Sequence, residues 1–497
     1  MKPITFSNHY AALGDAFFQR VDPTTVQQPG LIRLNRELAA QLGMDVDSVP
    51  DADWAEMFAG NRIPEGAEPL AMAYAGHQFG HFVPQLGDGR AILLGDVEMP
   101  GGAVQSIQLK GSGQTAFSRN GDGRAALGPV LREYLLSEAM HALGVPTTRA
   151  LAAVTTGEEV ARERLLPGGV ITRVARSFVR VGTFQYFAAR GETAQVRNLA
   201  DHIIETIYPG AADAENEYLA LLQQVVTAQA ELIARWMQLG FIHGVMNTDN
   251  MSVAGETIDY GPCAFIDGYT HHRVFSSIDR NGRYAYSQQP SIGLWNLARL
   301  AEALLPLLAD DADTAVARAE SVLDTYADTY NKAWLAGMRA KLGIITDVEE
   351  SIQASDKALV DALLDVMDGQ AADFTLVFSR LSRLDATPSV QDDALRELFA
   401  NTRQLDRWLE QWRERLGRQA VTDEVRQQSM QAVNPLVIPR NHQVEAAIRA
   451  AEDDGDFSVF NELHDVLAMP FTVPAGKEYY QNPPAPEQEV RHTFCGT

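Results

Sequence analysis

The sequence predicts an α+β fold of two lobes, a β-rich N-terminal lobe with one helix and a larger, mainly helical C-terminal lobe. Three observations predict it. Residues 67–190 alternate short apolar runs with glycines, the pattern of strands joined by tight turns. A single helical stretch, GPVLREYLLSEAMHALG, interrupts that region. Over 213–239, and again from about 290 to 465, apolar residues recur at helical spacing.

Residues 1–66 mix short helices such as LIRLNRELAAQLGM with Pro and Gly breaks, and are expected to form an extension packed on the lobes. In the N-lobe, 67–190, Pro129 suits the first turn of the one helix and Gly144 its stop. The helical lobe, 191–480, opens with a long helix and then a hairpin over 243–262, near the junction with the β-rich part. The tail, 481–497, is rich in Pro and reads as extended.

Composition narrows the function classes. A net charge of −24 over 497 residues disfavours nucleic acid and anionic membrane surfaces as partners, since both repel it. No apolar run approaches the ~18 residues of a membrane span, and the first residues lack the apolar segment of a signal peptide. Two cysteines fit a reducing cytoplasm.

The chemistry gathers in a few stretches. In QLGDGRAILLGD, Gly87 and Gly89 precede a strand and let backbone approach a phosphate, with Arg90 beside them as a fork-shaped donor. Glycine turns between strands are common, so this stretch alone does not decide. Lys110 closes the alternating strand of SIQLKGSG, and Glu133 lies in the first turns of the helix, near the edge of the side marked by Leu131, Leu135 and Leu136. A strand lysine paired with a helix glutamate is the device by which protein kinases hold phosphate oxygens. Between them GSGQTAFSRNGDGRAALG, with five glycines, Arg119, Asp122 and Arg124, reads as a lid. Further on, Arg173, Arg176 and Arg180 compete as phosphate donors, and spacing does not choose among them.

The stretch HGVMNTDNMSVAGETIDYGP carries the main contradiction. Kinases read H-R-D-x-x-x-x-N and then D-F-G. Asn250 falls at the asparagine and Asp259-Tyr-Gly at the D-F-G, a pair of oxygen ligands suited to Mg²⁺ or Mn²⁺. Val245, however, occupies the place of the catalytic aspartate. Asp249 is the nearby carboxylate able to replace it, if the loop turns it toward the substrate. The order of lobes and the position of this hairpin are those of a kinase-like bilobed fold.

These blocks, with YAGHQFGHFVPQLGDGRA, IDYGPCAFID and NPLVIPRNH, resemble the selenoprotein O (SelO/YdiU) family of kinase-like protein adenylyltransferases. The resemblance implies that ATP binds in a flipped orientation, and that AMP passes to Ser, Thr or Tyr hydroxyls of protein substrates. It also implies Mn²⁺-dependent UMP transfer from UTP. It assigns Gly87, Gly89, Arg90, Lys110, Asp122, Gly123, Arg173, Arg180 and Asp259 to the nucleotide and Glu133 to Lys110. Asp249 becomes the proton acceptor, and Asn250 and Asp259 the metal ligands. Cys495, third from the end, stands where family members carry cysteine or selenocysteine, and a redox-sensitive disulfide with Cys263 is expected. The alternatives are a kinase-like phosphotransferase, which the loss of aspartate at 245 opposes, and a non-catalytic nucleotide-binding pseudokinase, which retention of both metal ligands opposes.

Other features are read as structural. His77 and His81 have the i, i+4 spacing of a helical zinc pair, but no third ligand accompanies them. His243 is expected to orient the loop backbone, NPLVIPRNH to pack, and AEDDGDF to be a solvated face.

Overall fold

The computed structural model describes residues 4–99, 101–346 and 350–494. Its strands are β1 (Phe18–Arg20), β2 (Gly30–Leu34), β3 (Leu70–Met72), β4 (Gly76–Gln78), β5 (His81–Val83), β6 (Ala91–Glu98), β7 (Val104–Lys110), β8 (Ala125–Ala126), β9 (Arg149–Ala161), β10 (Leu165–Ala175), β11 (Phe241–Ile242) and β12 (Ala264–Phe265). One antiparallel sheet runs β1-β3-β6-β7-β10-β9-β2, with β8 paired to β10. The expected N-terminal extension is, over residues 4–66, woven into this sheet: β1 and β2 form its two edges.

The helices that position the site are α1 (Arg36–Gln41), α2 (Asp51–Phe58), α3 (Leu127–Ala142), α4 (Val181–Ala188), α5 (Thr193–Thr206), α6 (Glu217–Leu239) and α7 (Gln289–Leu308). The period of two along the strands assigns the faces of the sheet. Ile107, Leu109, Val170 and Val174 pack with Trp54 and Phe58 of α2. Ile171 and Ala175 pack on the other side, with Leu131 and Leu135 of α3. The residues interleaved with these, Gln108 and Lys110 on β7 and Arg173 on β10, therefore face α3. The polar cluster sits between sheet and helix.

C-terminal to α7 the chain is helical, from Ala312–Leu323 to Ser458–Leu467. Its last two helices return to α3: Phe460 meets the Tyr134 ring at 5.6 Å, and Glu452 accepts from the Gly128 N–H at 2.9 Å. A carboxylate at that position satisfies a donor left open at the helix start and complements its dipole. The tail also returns, with Thr493 bridged to Ser276 and its hydroxyl donating to the Pro262 carbonyl.

No helix among the described residues is long and apolar enough to cross a membrane.

Candidate functional site

The loop 243–263 is built from its anchors outward. The pair β11–β12 closes it, with Phe241 opposite Phe265 and Ile242 opposite Ala264. Two side chains of α6, two helical turns apart and so on one face, hold its middle. Gln229 Nε2 donates to the Ser252 carbonyl at 2.6 Å, and Trp236 Nε1 to Thr257 Oγ1 at 2.9 Å. Within the hairpin expected over 243–262, the segments flanking the turn at 254–256 do not pair with each other. Ser252 bridges Arg180 and Thr257 bridges Thr147, so tertiary partners take the hydrogen bonds of both arms. His243 is buried, its Nε2 2.8 Å from the Ile258 carbonyl, and burial depresses its pKa, which favours the neutral ring. It ties the two ends of the loop together.

That loop delivers Asp259, at φ +61°, to the polar cluster under α3. Lys110 Nζ lies 2.8 Å from Glu133 Oε2 and 3.3 Å from Asp259 Oδ1. Arg173 donates through Nε to Glu133 and through Nη2 to Asp259 Oδ1 at 2.6 Å. Arg180 Nη2 stands 3.4 Å from Asp259 Oδ2, and its guanidinium lies over the Tyr74 ring at 4.5 Å. Of the three arginines left open by the sequence, Arg173 and Arg180 enter the cluster. Arg176 turns away, donating to the Ala254 and Ile207 carbonyls. Burial alone would raise the Asp259 carboxyl, but Arg173, Lys110 and Arg180 outweigh it and hold it well below the usual range. Burial likewise opposes ionisation of Glu133, and Arg173 and Lys110 reverse it. Glu138, further round α3, takes a separate bidentate pair with Arg149, at 2.9 Å on each arm.

Accessibility separates the cations. The Arg173 and Arg180 side chains are each 2% exposed, whereas Lys110 is 15% and Asp259 20% exposed. The arginines brace carboxylates from behind, and Lys110 and Asp259 present the open edge.

The glycine stretches meet at that edge. Gly87, at φ +81°, has no room for a side chain, because a Cβ would stand 2.3 Å from the Phe117 ring. Thr115 Oγ1 donates to the Asp88 carbonyl at 2.6 Å and Ser118 Oγ to that of Gly89 at 2.5 Å. Arg90 offers its carbonyl to the Gly111 N–H at 2.7 Å, next to Lys110. The stretch expected to be a lid is thus pinned to the 87–89 turn. Its Arg124 donates to the Thr24 and Thr25 carbonyls, and Arg162 holds Asp122 at 2.8 Å. Gly123 packs against the Gly113 backbone, whose N–H donates to the Gly123 carbonyl at 3.0 Å.

Asp249 occupies a different environment. It lies in a short 3₁₀ turn, Thr248–Asn250, against β4. Gln78 Nε2 donates to its Oδ2 at 3.1 Å, while Oδ1 is buried without a partner. Burial pushes its carboxyl up to about 6. Gly76 makes room for it, since a Cβ there would stand 2.4 Å from Oδ1. Val245 is buried, and its carbonyl accepts from Asn250 Nδ2 at 3.1 Å, which leaves the Asn250 amide oxygen for another partner.

The donor set bears on the expected metal. An ionised carboxylate at Asp259 and an amide oxygen at Asn250 are hard ligands that fit Mg²⁺ or Mn²⁺. Among the described residues no group of three or more His, Cys, Asp or Glu could hold an ion. A dication here would therefore complete its shell from nucleotide and water.

Several contributors escaped sequence reasoning. Asp88, within the quoted glycine stretch, is buried, 3.6 Å from Arg180, and accepts from Gln108 Nε2 at 3.1 Å. Gln78 lies in the block containing the two histidines. Those histidines are not on a helix: they sit on the hairpin β4–β5, turned by Phe79 and Gly80 at positive φ, and His77 Nδ1 lies 2.8 Å from Gln185 Nε2. Cys263 is buried, which pushes its thiol up to about 12, while Cys495 lies outside the described residues.

Comparison with known proteins fits this geometry. A family model described as protein adenylyltransferase SelO matches residues 1–468. The chain is 57% identical over 492 residues, 99% of each chain, to the protein nucleotidyltransferase YdiU of Rhodopseudomonas palustris strain BisB18. It is 58% identical to that of Bradyrhizobium sp. strain BTAi1, again over 99% of each, and 56% identical to that of Rhizobium meliloti strain 1021 over the full length of both. The chain belongs to the SelO family of protein adenylyltransferases, enzymes of the nucleotidyltransferase class.

Proposed function

We propose that this enzyme transfers AMP from ATP to Ser, Thr or Tyr hydroxyls of protein substrates, in the cleft of a kinase-like two-lobed fold. UMP from UTP, with Mn²⁺, is a second donor in the same reading, and the setting is cytoplasmic. The observation that carries the reading is the division of labour among carboxylates. Asp259 is held ionised among cations, while Asp249, with a partnerless oxygen and a pKa of about 6, is poised as a base. A base works best with a pKa near the working pH, and Val245 leaves that task to Asp249.

In this mechanism the acceptor hydroxyl gives its proton to the Asp249 carboxylate as its oxygen attacks the α-phosphorus. The bond to pyrophosphate breaks and pyrophosphate leaves. Lys110, oriented by Glu133, faces the phosphate oxygens with Arg90 and the 87–89 turn, and Arg173 and Arg180 hold Glu133 and Asp259 in place. Asn250 and Asp259 would hold the dication, which supplies positive charge against the triphosphate.

ATP labelled at the α or the γ phosphorus, incubated with the enzyme, Mg²⁺ or Mn²⁺ and a protein mixture, tests the reading. Protein labelled from the α position is expected, and Asp259→Ala should abolish it. Labelling only from γ would make the chain a kinase-like phosphotransferase, and labelling from neither would leave a nucleotide-binding scaffold.

A Cys263–Cys495 disulfide belongs to the same reading as a redox control. The contact of Thr493 with Pro262, next to Cys263, supports it. Two free thiols under oxidising conditions, read by mass spectrometry of non-reduced peptides, would remove it.

A further inference from the structure

The hairpin β4–β5, which holds Asp249 through Gln78, packs outward against a stack of arginines and aromatic rings. The Arg283 guanidinium lies over the Trp295 ring at 4.8 Å and near the Tyr284 ring at 5.7 Å. Arg299 covers the same Trp295 at 4.9 Å, and the His77 ring meets it edge-on at 5.2 Å. The stack sits close to the proposed base along both chain segments. A Cβ on Gly80, two residues past Gln78, would lie 3.6 Å from Arg283 Cζ. The Tyr284 hydroxyl donates to Asn247 Oδ1 at 2.5 Å, and that oxygen also accepts from the Phe79 N–H at 3.1 Å, two residues before Asp249.

The charges do not balance at this face. Arg299 is paired with Glu302 at 2.5 Å. Asp279 is engaged by the Arg283 and Tyr284 N–H groups, at 3.0 and 2.8 Å. Arg283 itself has no carboxylate partner among the described residues, and its Nε is buried without an acceptor. In a chain of net charge −24, the guanidinium of Arg283 thus lies over a ring with no carboxylate to neutralise it. Its planar fork matches a carboxylate, and Phe82, 40% exposed on the same hairpin, adds an apolar contact.

We propose that the Arg283–Trp295 stack is the docking face for the polypeptide substrate, and that it selects segments carrying an Asp or Glu side chain close to the hydroxyl to be modified. This rests on the proposed transfer to protein hydroxyls and names the substrate class of that site. The occupant is an acidic peptide segment: its carboxylate engages Arg283 while the neighbouring hydroxyl reaches Asp249.

Binding and transfer, measured side by side, test the two readings separately. Fluorescent peptides with one threonine, flanked by two Glu, two Ala or two Lys, are titrated with the full chain by anisotropy, and the same peptides are offered with α-labelled ATP. The acidic peptide should bind about tenfold more tightly than the alanine peptide at low salt, and the gap should shrink as salt is raised. Arg283→Glu should erase or invert the order, and Arg283→Lys, which keeps charge without the fork, should leave part of it. Thermal unfolding of each variant establishes that it is folded. Equal binding of the three peptides by the parent enzyme overturns the docking proposal, even if α-label is transferred. An acidic preference that Arg283→Glu removes, with no α-label on any polypeptide, upholds the face and refutes the transfer reading. A change in oligomeric state as the sole effect of Arg283→Glu would make this a contact between copies of the chain, and would also overturn the proposal.

Discussion

Asp249, the proposed base, sets stability against activity in one side chain. Its carboxyl titrates near 3.8 when solvated and at about 6 in the fold, because burial penalises the charged form. Below about 4 it is neutral in both states and burial has no charge to penalise. As pH rises from 4 to 6 the unfolded chain loses its proton first, so this residue subtracts stability over that window, and the loss is complete above 6. A shift of this size corresponds to roughly 2–3 kcal/mol. Asp249→Asn keeps an acceptor for Gln78 and removes the buried charge. Its melting temperature should therefore exceed the parent's at pH 7 and match it near pH 4, by calorimetry, while transfer falls by about two to four orders of magnitude. Transfer by the parent should follow the ionised fraction of Asp249, declining tenfold per pH unit below about 6. A pH–rate profile flat down to pH 5 would place the base elsewhere.

At the scale of elements, the site depends on how closely β4 and α4 approach the 248–250 turn. Gly182, in the first turn of α4, admits the chain: a Cβ there would stand 2.1 Å from the Ala75 carbonyl oxygen and 3.4 Å from Asp249 Cα. Backbone cannot yield as a side chain can, so Gly182→Ala should cost about 1–3 kcal/mol in denaturant unfolding and lower transfer by displacing Asp249. A variant of unchanged stability and rate would show the contact to be slack. The same elements mark what the sequence discloses. Alternation along β7 and the heptad-like face of α3 made the Lys110–Glu133 pairing legible, because both residues obey the period of their own element. The partners of the 243–263 loop were not legible, since Ser252 and Thr257 bond to Arg180 and Thr147, far away in the chain. Nor was the setting of His77, because i, i+4 spacing signals a helix only where the backbone is helical, and Phe79 and Gly80 turn it into a hairpin. Asp88 and Gln78 were hidden for a related reason: a buried polar side chain is recognised by its partners, and those lie on other strands and loops.

Across the whole molecule, the C-terminal helices close the structure around the site. NPLVIPRNH, expected only to pack, supplies Arg440, whose side chain is fully buried. Arg440 pairs with Asp373 at 2.8 Å, with Asp267 just beyond β12, and with the Gln481 carbonyl at 3.0 Å. Asp373 in turn caps the helix Phe374–Leu381 by accepting from the Leu376 N–H at 2.8 Å. One guanidinium thus joins the end of the 243–263 loop, a helix start and the chain leading into the tail. Removing one member of a buried ion-pair network leaves the others charged and unpaired, at about 3–5 kcal/mol. Arg440→Ala should lose stability on that scale in chemical denaturation, and should also lower transfer, because Asp267 tethers the strand that follows Cys263. Arg440→Lys keeps the charge but cannot serve two carboxylates and a carbonyl at once, so it should fall between. If Arg440→Ala unfolds early yet transfers AMP at the parent rate while folded, the C-terminal helices support the fold without setting the geometry of the loop.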